Sequence, residues 1–305
     1  MIFRQRHPEP PTDDRTPTEI LKRIRKIQLR TSHRVDELLV GSWHSAFKGR
    51  GIEFEEVRPY QVGDDVRAID WNVTARANAP FVKLFREERE LAVMMLVDVS
   101  RSIDFGTQHQ SKRDLAIEVA ATLAMSAIKN NDRVGLTMFT DQIEKHVPPR
   151  KGSRHVLRLI RELLYHTPQG TRTDPVALLD HVNHTNHRRS VIFWLGDFAI
   201  QDPDRRVEKA MRVFGRKHDV VPVVLMDQRE QTMPNVGLVR LCDNETGSET
   251  TIDTSSGRVR RHFEQLASRR SEQRDKLFAR LKWKPLVVHT GEDISKPLHR
   301  YFDQR

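Results

Sequence analysis

The chain has 305 residues, of which 37% are hydrophobic and 31% charged, and it carries a formal net charge of +10. That length supports one sizeable core with a smaller appendage, no apolar run approaches the ~20 residues needed to cross a bilayer, and the single cysteine, Cys242, excludes an internal disulfide and suits a reducing cytoplasm. The basic excess favours an acidic partner or an anionic surface; because the basic residues are spread over helical segments and aromatics make up only 7%, nucleic-acid binding is a minor reading and peripheral membrane contact stays open.

Residues 1–15 are rich in proline and charge, lack an apolar signal core and read as disordered, which argues against export. "TPTEILKRIRKIQL" then opens a helix with Thr16 as N-cap, Pro17 in the first turn and Glu19 at N3, its Ile20, Ile24 and Ile27 forming one stripe. It begins an accessory region, 16–90, in which short extended segments punctuated by Pro59, Gly63 and Pro80 flank a helical turn near Asp65 to Trp71. From residue 91 strands alternate with helices: strands at 91–98, 133–140, 190–196, 219–226 and 285–289, helices at 112–130, 153–165, 174–185, 203–217, 257–281 and 293–302. A strand at 143–147 is expected antiparallel to 133–140 through the turn "TDQ", and a hairpin with Asn244 to Gly247 at its tip is inserted at about 236–254. The alternation predicts an α/β domain over 91–305, a mostly parallel sheet with helices on both faces.

In "LVDVSRSIDFG" an apolar run ends in Asp98, Ser100 and Ser102, and in "SVIFWLGDF" a second run ends in Asp197. If both strands are parallel, both carboxylates reach the carboxyl edge of the sheet, where ligands of open α/β sheets bind. Between them "GTRTDPVALL" begins a helix with Thr173 as N-cap and Asp174 and Pro175 in its first turn, so the Thr173 hydroxyl can face those strand ends; Thr171 is a rival for that role. Asp98, Ser100, Ser102, Thr173 and Asp197 are all hard oxygen donors, the set that suits Mg2+, with Mn2+ or Ca2+ as alternatives. Hydroxyl ligands leave such an ion underneutralised and able to accept a carboxylate from another protein.

"DVSRS", Thr173 and "LGDF" resemble, in order, the metal-ion-dependent adhesion site of the von Willebrand factor A domain. "RPYQVGDDVRAIDW", "TAR", "PFVKLFREERE" and "PPRKGSRHVLRLIREL" resemble more narrowly a bacterial domain-of-unknown-function family associated with MoxR-type ATPases, over about residues 16–230; Gly196 departs from the serine common at that place. The resemblance implies a von Willebrand factor A-like fold and a cytoplasmic, non-enzymatic module that binds protein through a divalent ion. It further implies as partners a MoxR-type AAA+ ATPase and its client, in chaperone-like maturation of proteins.

Arg58, Asp64, Asp65, Arg67, Asp70 and Trp71 read either as a partner-docking surface or as a charge network locking the accessory region in place. "HVNHTNH" spaces His181, His184 and His187 by three, but without a fourth ligand it reads as a solvated helix end rather than a zinc site. No Gly-x-x-x-x-Gly-Lys-Ser/Thr or Gly-x-Ser-x-Gly motif occurs. The alternative function, a Mg2+-dependent phosphohydrolase or nuclease using the strand-end aspartates, lacks a nucleophile or base, since no Lys or His has an assigned place beside them.

Overall fold

Apolar runs that end in one carboxylate can hide both of their faces only inside a covered sheet. The computed structural model describes residues 43, 46, 47, 52–77, 79–87, 91–106, 110–200, 205–242 and 249–305, and four largely apolar runs, three of them ending at a carboxylate, are buried strands: β3 (Ala92–Asp98), β4 (Arg133–Phe139), β6 (Val191–Gly196) and β7 (Asp219–Met226). With β5 (Ile143–Arg150) and β10 (Leu286–His289) they form a six-stranded sheet in the order β10-β7-β6-β3-β4-β5. All pairs are parallel except β4–β5, the antiparallel edge expected from the "TDQ" turn. The fold is thus the mostly parallel α/β architecture anticipated above.

Helices α2 (Lys112–Lys129), α3 (Ser153–Tyr165), α4 (Pro175–Thr185), α5 (Arg206–Lys217), α7 (Gly257–Leu281) and α8 (Ser295–Asp303) lie close to their expected bounds. One core layer joins Met94 and Leu96 of β3 and Ile192 and Trp194 of β6 to Leu178 and Val182 of α4, Met211 and Phe214 of α5 and Phe278 of α7. On strand alternation the opposite face receives Phe193, against which Trp43 stacks at 5.7 Å and Phe302 of α8 packs at 6.5 Å. Trp43 also donates to Asp132 Oδ2 at 2.9 Å. The inserted hairpin is β8 (Leu238–Cys242) paired antiparallel with β9 (Glu249–Asp253).

Contacts divide the chain into two compact units, Phe47–Leu91 and the remainder. In the smaller unit β1 (Ile52–Pro59) pairs antiparallel with β2 (Phe81–Glu87), with a 3-10 turn at Val66–Ala68 and α1 (Trp71–Ala77) between them. The expected disorder at 1–15, the helix from Thr16 and the hairpin tip Asn244 to Gly247 lie outside the described residues.

One detail differs from expectation. The N-cap of α4 is Asp174, not Thr173: its carboxylate accepts from Val176 N and Ala177 N, a stronger local option than a hydroxyl. Within the helical segments the positive charge is densest in α7, which holds eight basic and three acidic residues, half of the chain's +10.

Candidate metal centre

The chain enters the sheet at β3 and turns one way to β4; it returns to β6 on the other side of β3 and proceeds to β7. The order therefore reverses between β3 and β6, and the crevice beyond their carboxyl ends is the topological switch point at which such sheets bind ligands. Asp98 closes β3, Asp197 follows the last residue of β6, and Val97 pairs with Leu195, one residue before Asp98 and two before Asp197.

Asp98 ends its strand by local chemistry: its Oδ1 accepts the Ser100 backbone N–H at 2.9 Å, turning the chain into a 3-10 segment, Arg101–Asp104. That turn sets the Ser100 and Ser102 hydroxyls 3.1 Å apart. Asp197 repeats the device, accepting from Ala199 N at 3.1 Å, and a Ser102 hydroxyl bond ties it to the first segment. Because Asp174 takes over the capping of α4, the Thr173 hydroxyl is free to donate to Asp98 Oδ2, at 3.2 Å. Thr173, not Thr171, makes this bond. Gly196 lies against Asp98: a Cβ there would sit 3.4 Å from the Asp98 Cβ and 3.6 Å from its Oδ2, ordinary contact that leaves room for the serine of the resembling family.

Asp98 is 4% exposed, and burial, followed by the neighbouring Asp197 charge, pushes its carboxyl up to about 7. Burial works against the charged form of Asp197 too, but the Lys112 ammonium beside it, the Ala199 N–H and the Ser102 hydroxyl outweigh burial and hold its carboxyl below the ordinary value. Lys112 opens α2, is 0% exposed, and reaches Asp197 Oδ2 at 3.3 Å and Glu230 Oε1 at 2.6 Å. Glu230 belongs to a single turn, α6 (Gln228–Gln231), which follows β7. The expectation that no Lys has a place at this site is therefore corrected. Sequence offers little signal for it: Lys112 and Asp197 are 85 residues apart, and a lysine in a helix's first turn reads locally as solvent-facing.

The donor chemistry fits a hard divalent ion. Ser100, Ser102, Thr173, Asp98 and Asp197 offer only oxygen, and hydrogen bonds of Ser100 and Thr173 with Asp98 and of Ser102 with Asp197 bring the hydroxyls and carboxylates together. Ser100, Ser102 and Thr173 would hold the ion directly, with Asp98 and Asp197 bridging through water. When bound, the ion would supply a Lewis-acidic centre at the strand ends.

The other candidates do not assemble in this way. Arg58 forms a two-pronged pair with Asp64, at 2.7 and 2.8 Å; Asp65 accepts from Arg67 N; Asp70 caps α1 through Asn72 N and Val73 N and pairs with Lys83 at 3.4 Å. These partners all lie inside the smaller unit, whereas Trp71 is 70% exposed. His181 stacks edge-on against His146 at 4.9 Å, His184 bonds the Asp180 carbonyl, and His187 lies beyond the helix end. Among the described residues no group of three or more His, Cys, Asp or Glu is arranged to hold a metal, and no helix is long and apolar enough to cross a membrane.

Among solved structures, the chain is similar to the conserved hypothetical protein BatB from Bacteroides thetaiotaomicron, at 14% identity and a TM-score of 0.46 over 70% of this chain and 98% of that one. It is similar also to the SpRpn10 VWA domain, at 11% identity and a TM-score of 0.41 over 69% and 95%. In sequence it is 33% identical over 234 residues to the uncharacterized protein Rv1480 of Mycobacterium tuberculosis (strain ATCC 25618 / H37Rv), covering 75% of this chain and 73% of the relative. Residues 56–273 match the family described as "Protein of unknown function DUF58". The match takes in the second half of β1, all of β2, every residue of the strand-end cluster and most of α7, and the chain belongs to the DUF58 family.

Proposed function

We propose that this chain is a non-enzymatic protein-interaction module that works through a divalent ion, Mg2+ first, held by Ser100, Ser102 and Thr173 with Asp98 and Asp197 behind them. The observation that carries this reading is the convergence of those oxygen side chains at the switch point between β3 and β6. The family resemblance extends the reading to a MoxR-type AAA+ ATPase as partner, with the pair acting on a client protein in the cytoplasm. An acidic side chain of the partner completes the ion's coordination.

The phosphohydrolase alternative needs a cation or base that can reach a substrate. Lys112 is the nearest, but it is wholly buried and both its contacts are carboxylates, so its charge is spent inside the protein. The adaptor reading needs no such group.

Titration calorimetry with Mg2+ tests the site, and affinity capture from lysate, with Mg2+ or with EDTA, tests its use. Wild type binds Mg2+ and retains an AAA+ ATPase only when Mg2+ is present; Asp98→Ala loses both. Full partner retention by Asp98→Ala in excess Mg2+ would sink the metal-bridge mechanism, and metal-dependent turnover of phosphoesters would favour the enzyme.

A further inference from the structure

Thr173 is delivered by the connection between α3 and α4, residues 166–174. A connection between helices has no ladder of its own, so side chains must define its course. Most of that definition comes from Glu144 on β5, whose side chain is 2% exposed. Its Oε1 accepts the backbone N–H of Gly170 at 2.8 Å and of Gln169 at 3.0 Å, and the Thr140 hydroxyl at 2.8 Å. Gln142 Nε2 reaches the same oxygen at 3.5 Å, while Oε2 takes Gln169 N at 3.1 Å and lies 3.3 Å from His166 Nε2.

Both ends of the connection are pinned as well. Arg113 donates to the His166 carbonyl, and Asp174 N donates to the Thr140 carbonyl at 3.1 Å. The fit over the β4–β5 turn is close: a Cβ on Gly170 would stand 2.1 Å from both Thr140 Oγ1 and Asp141 Oδ1. Only glycine can lie there without moving the loop or the turn.

We propose that Glu144 is the positioning residue of the metal centre, fixing Gln169 and Gly170 on the β4–β5 turn so that the Thr173 hydroxyl faces Asp98, and thereby setting ion affinity without touching the ion. The proposal rests on the metal-centre reading above. A carboxylate suits the task because it accepts several charge-assisted bonds at once, each stronger than its neutral counterpart. Burial opposes the charge, yet the donors from Gly170, Thr140 and Gln169 outweigh it and hold the Glu144 carboxyl down at about 2, so the acceptor stays ionised. With the loop ordered in advance, ion binding does not bear the entropy of ordering it. Partners of this outer kind typically change metal affinity 10- to 100-fold when removed.

The test is Mg2+ titration calorimetry on the full chain for wild type, Glu144→Gln and Gly170→Ala, with amide hydrogen exchange at Gln169 and Gly170. Val156→Ala, in the buried face of α3, is the control for lost stability alone. The expected result is that Glu144→Gln and Gly170→Ala each weaken Mg2+ by about 10- to 100-fold and speed exchange at the loop amides. Val156→Ala lowers the melting temperature and leaves Mg2+ affinity unchanged. Wild-type affinity in Glu144→Gln overturns the proposal, as does equal weakening in Val156→Ala. A wild type that binds no Mg2+ overturns the metal-centre reading and this proposal together, an outcome recognisable because no variant comparison is then needed.

Discussion

Lysine is among the residues least often fully buried, and Lys112 has no exposed surface at all. It persists because Asp197 and Glu230 lie within 3.3 and 2.6 Å, and their charges raise its pKa against the pull of burial. At residue scale the site thus contains a covalently attached cation that neutralises one strand-end carboxylate and leaves Asp98 as the uncompensated one. Lys112→Met keeps the stem and removes the charge, leaving the partly buried Asp197 carboxylate beside the half-exposed Glu230 with no cation between them. Breaking a fully buried pair costs about 3–5 kcal/mol, and because both carboxylates are partly open to water the cost here is discounted to about 2 kcal/mol. Denaturant unfolding in EDTA should show a loss of that size, and added Mg2+ should recover part of it by neutralising Asp197. A neutral outcome in EDTA would mean that the ammonium is not carrying the local charge balance.

At element scale, the start of α4 shows how two neighbouring residues divide two tasks. Asp174 caps the helix, and Thr173 turns to Asp98. Reading "TDP" locally, Thr is as good a cap as Asp, and nothing in the tripeptide says which will be used. Asp174→Ala should therefore cost about 1 kcal/mol of stability with Mg2+ affinity little changed, whereas Thr173→Ala should lower Mg2+ affinity with stability little changed. Chemical denaturation and calorimetry on the two variants separate these effects; the reverse pattern would return the cap to Thr173. The strands needed no such arbitration. Continuous apolar runs from 92 to 97 and from 191 to 196 specify buried strands whatever their neighbours are, and the strand bounds agree with expectation to within a residue.

At the scale of the whole molecule, buried titratable groups give metal-free stability a pH dependence. Asp98, raised to about 7 by burial and by Asp197, binds its proton more tightly folded than unfolded, so its contribution is fully present below its ordinary value of 3.8 and is lost as pH rises through about 7. His218, lowered to about 4 by burial and by Lys217 and Arg189, acts oppositely: its contribution is present above 6.5 and is lost as pH falls through about 4. Because the two partly cancel, the informative quantity is the stability of wild type minus that of Asp98→Asn in EDTA. It should decline from pH 4 to pH 7. A flat or rising difference would show that Asp98 is not held protonated by its surroundings, and saturating Mg2+, which binds the deprotonated form, should remove the decline.

The sequence by itself determined the elements and their order, the α/β class, and the presence of a carboxylate at the end of each of two buried strands. These follow from apolar run length, caps and turn residues, all of which act over a few neighbouring positions. Only the tertiary structure decided that β3 and β6 are adjacent, that Thr173 rather than Thr171 meets Asp98, that Lys112 lies against Asp197, and that Glu144 holds the loop at Gly170. Those pairs are separated by 75, 85 and 26 residues. At such distances no periodicity links one partner to the other, and what joins them is the strand order that sets β6 beside β3 and β4 beside β5 with their apolar faces buried.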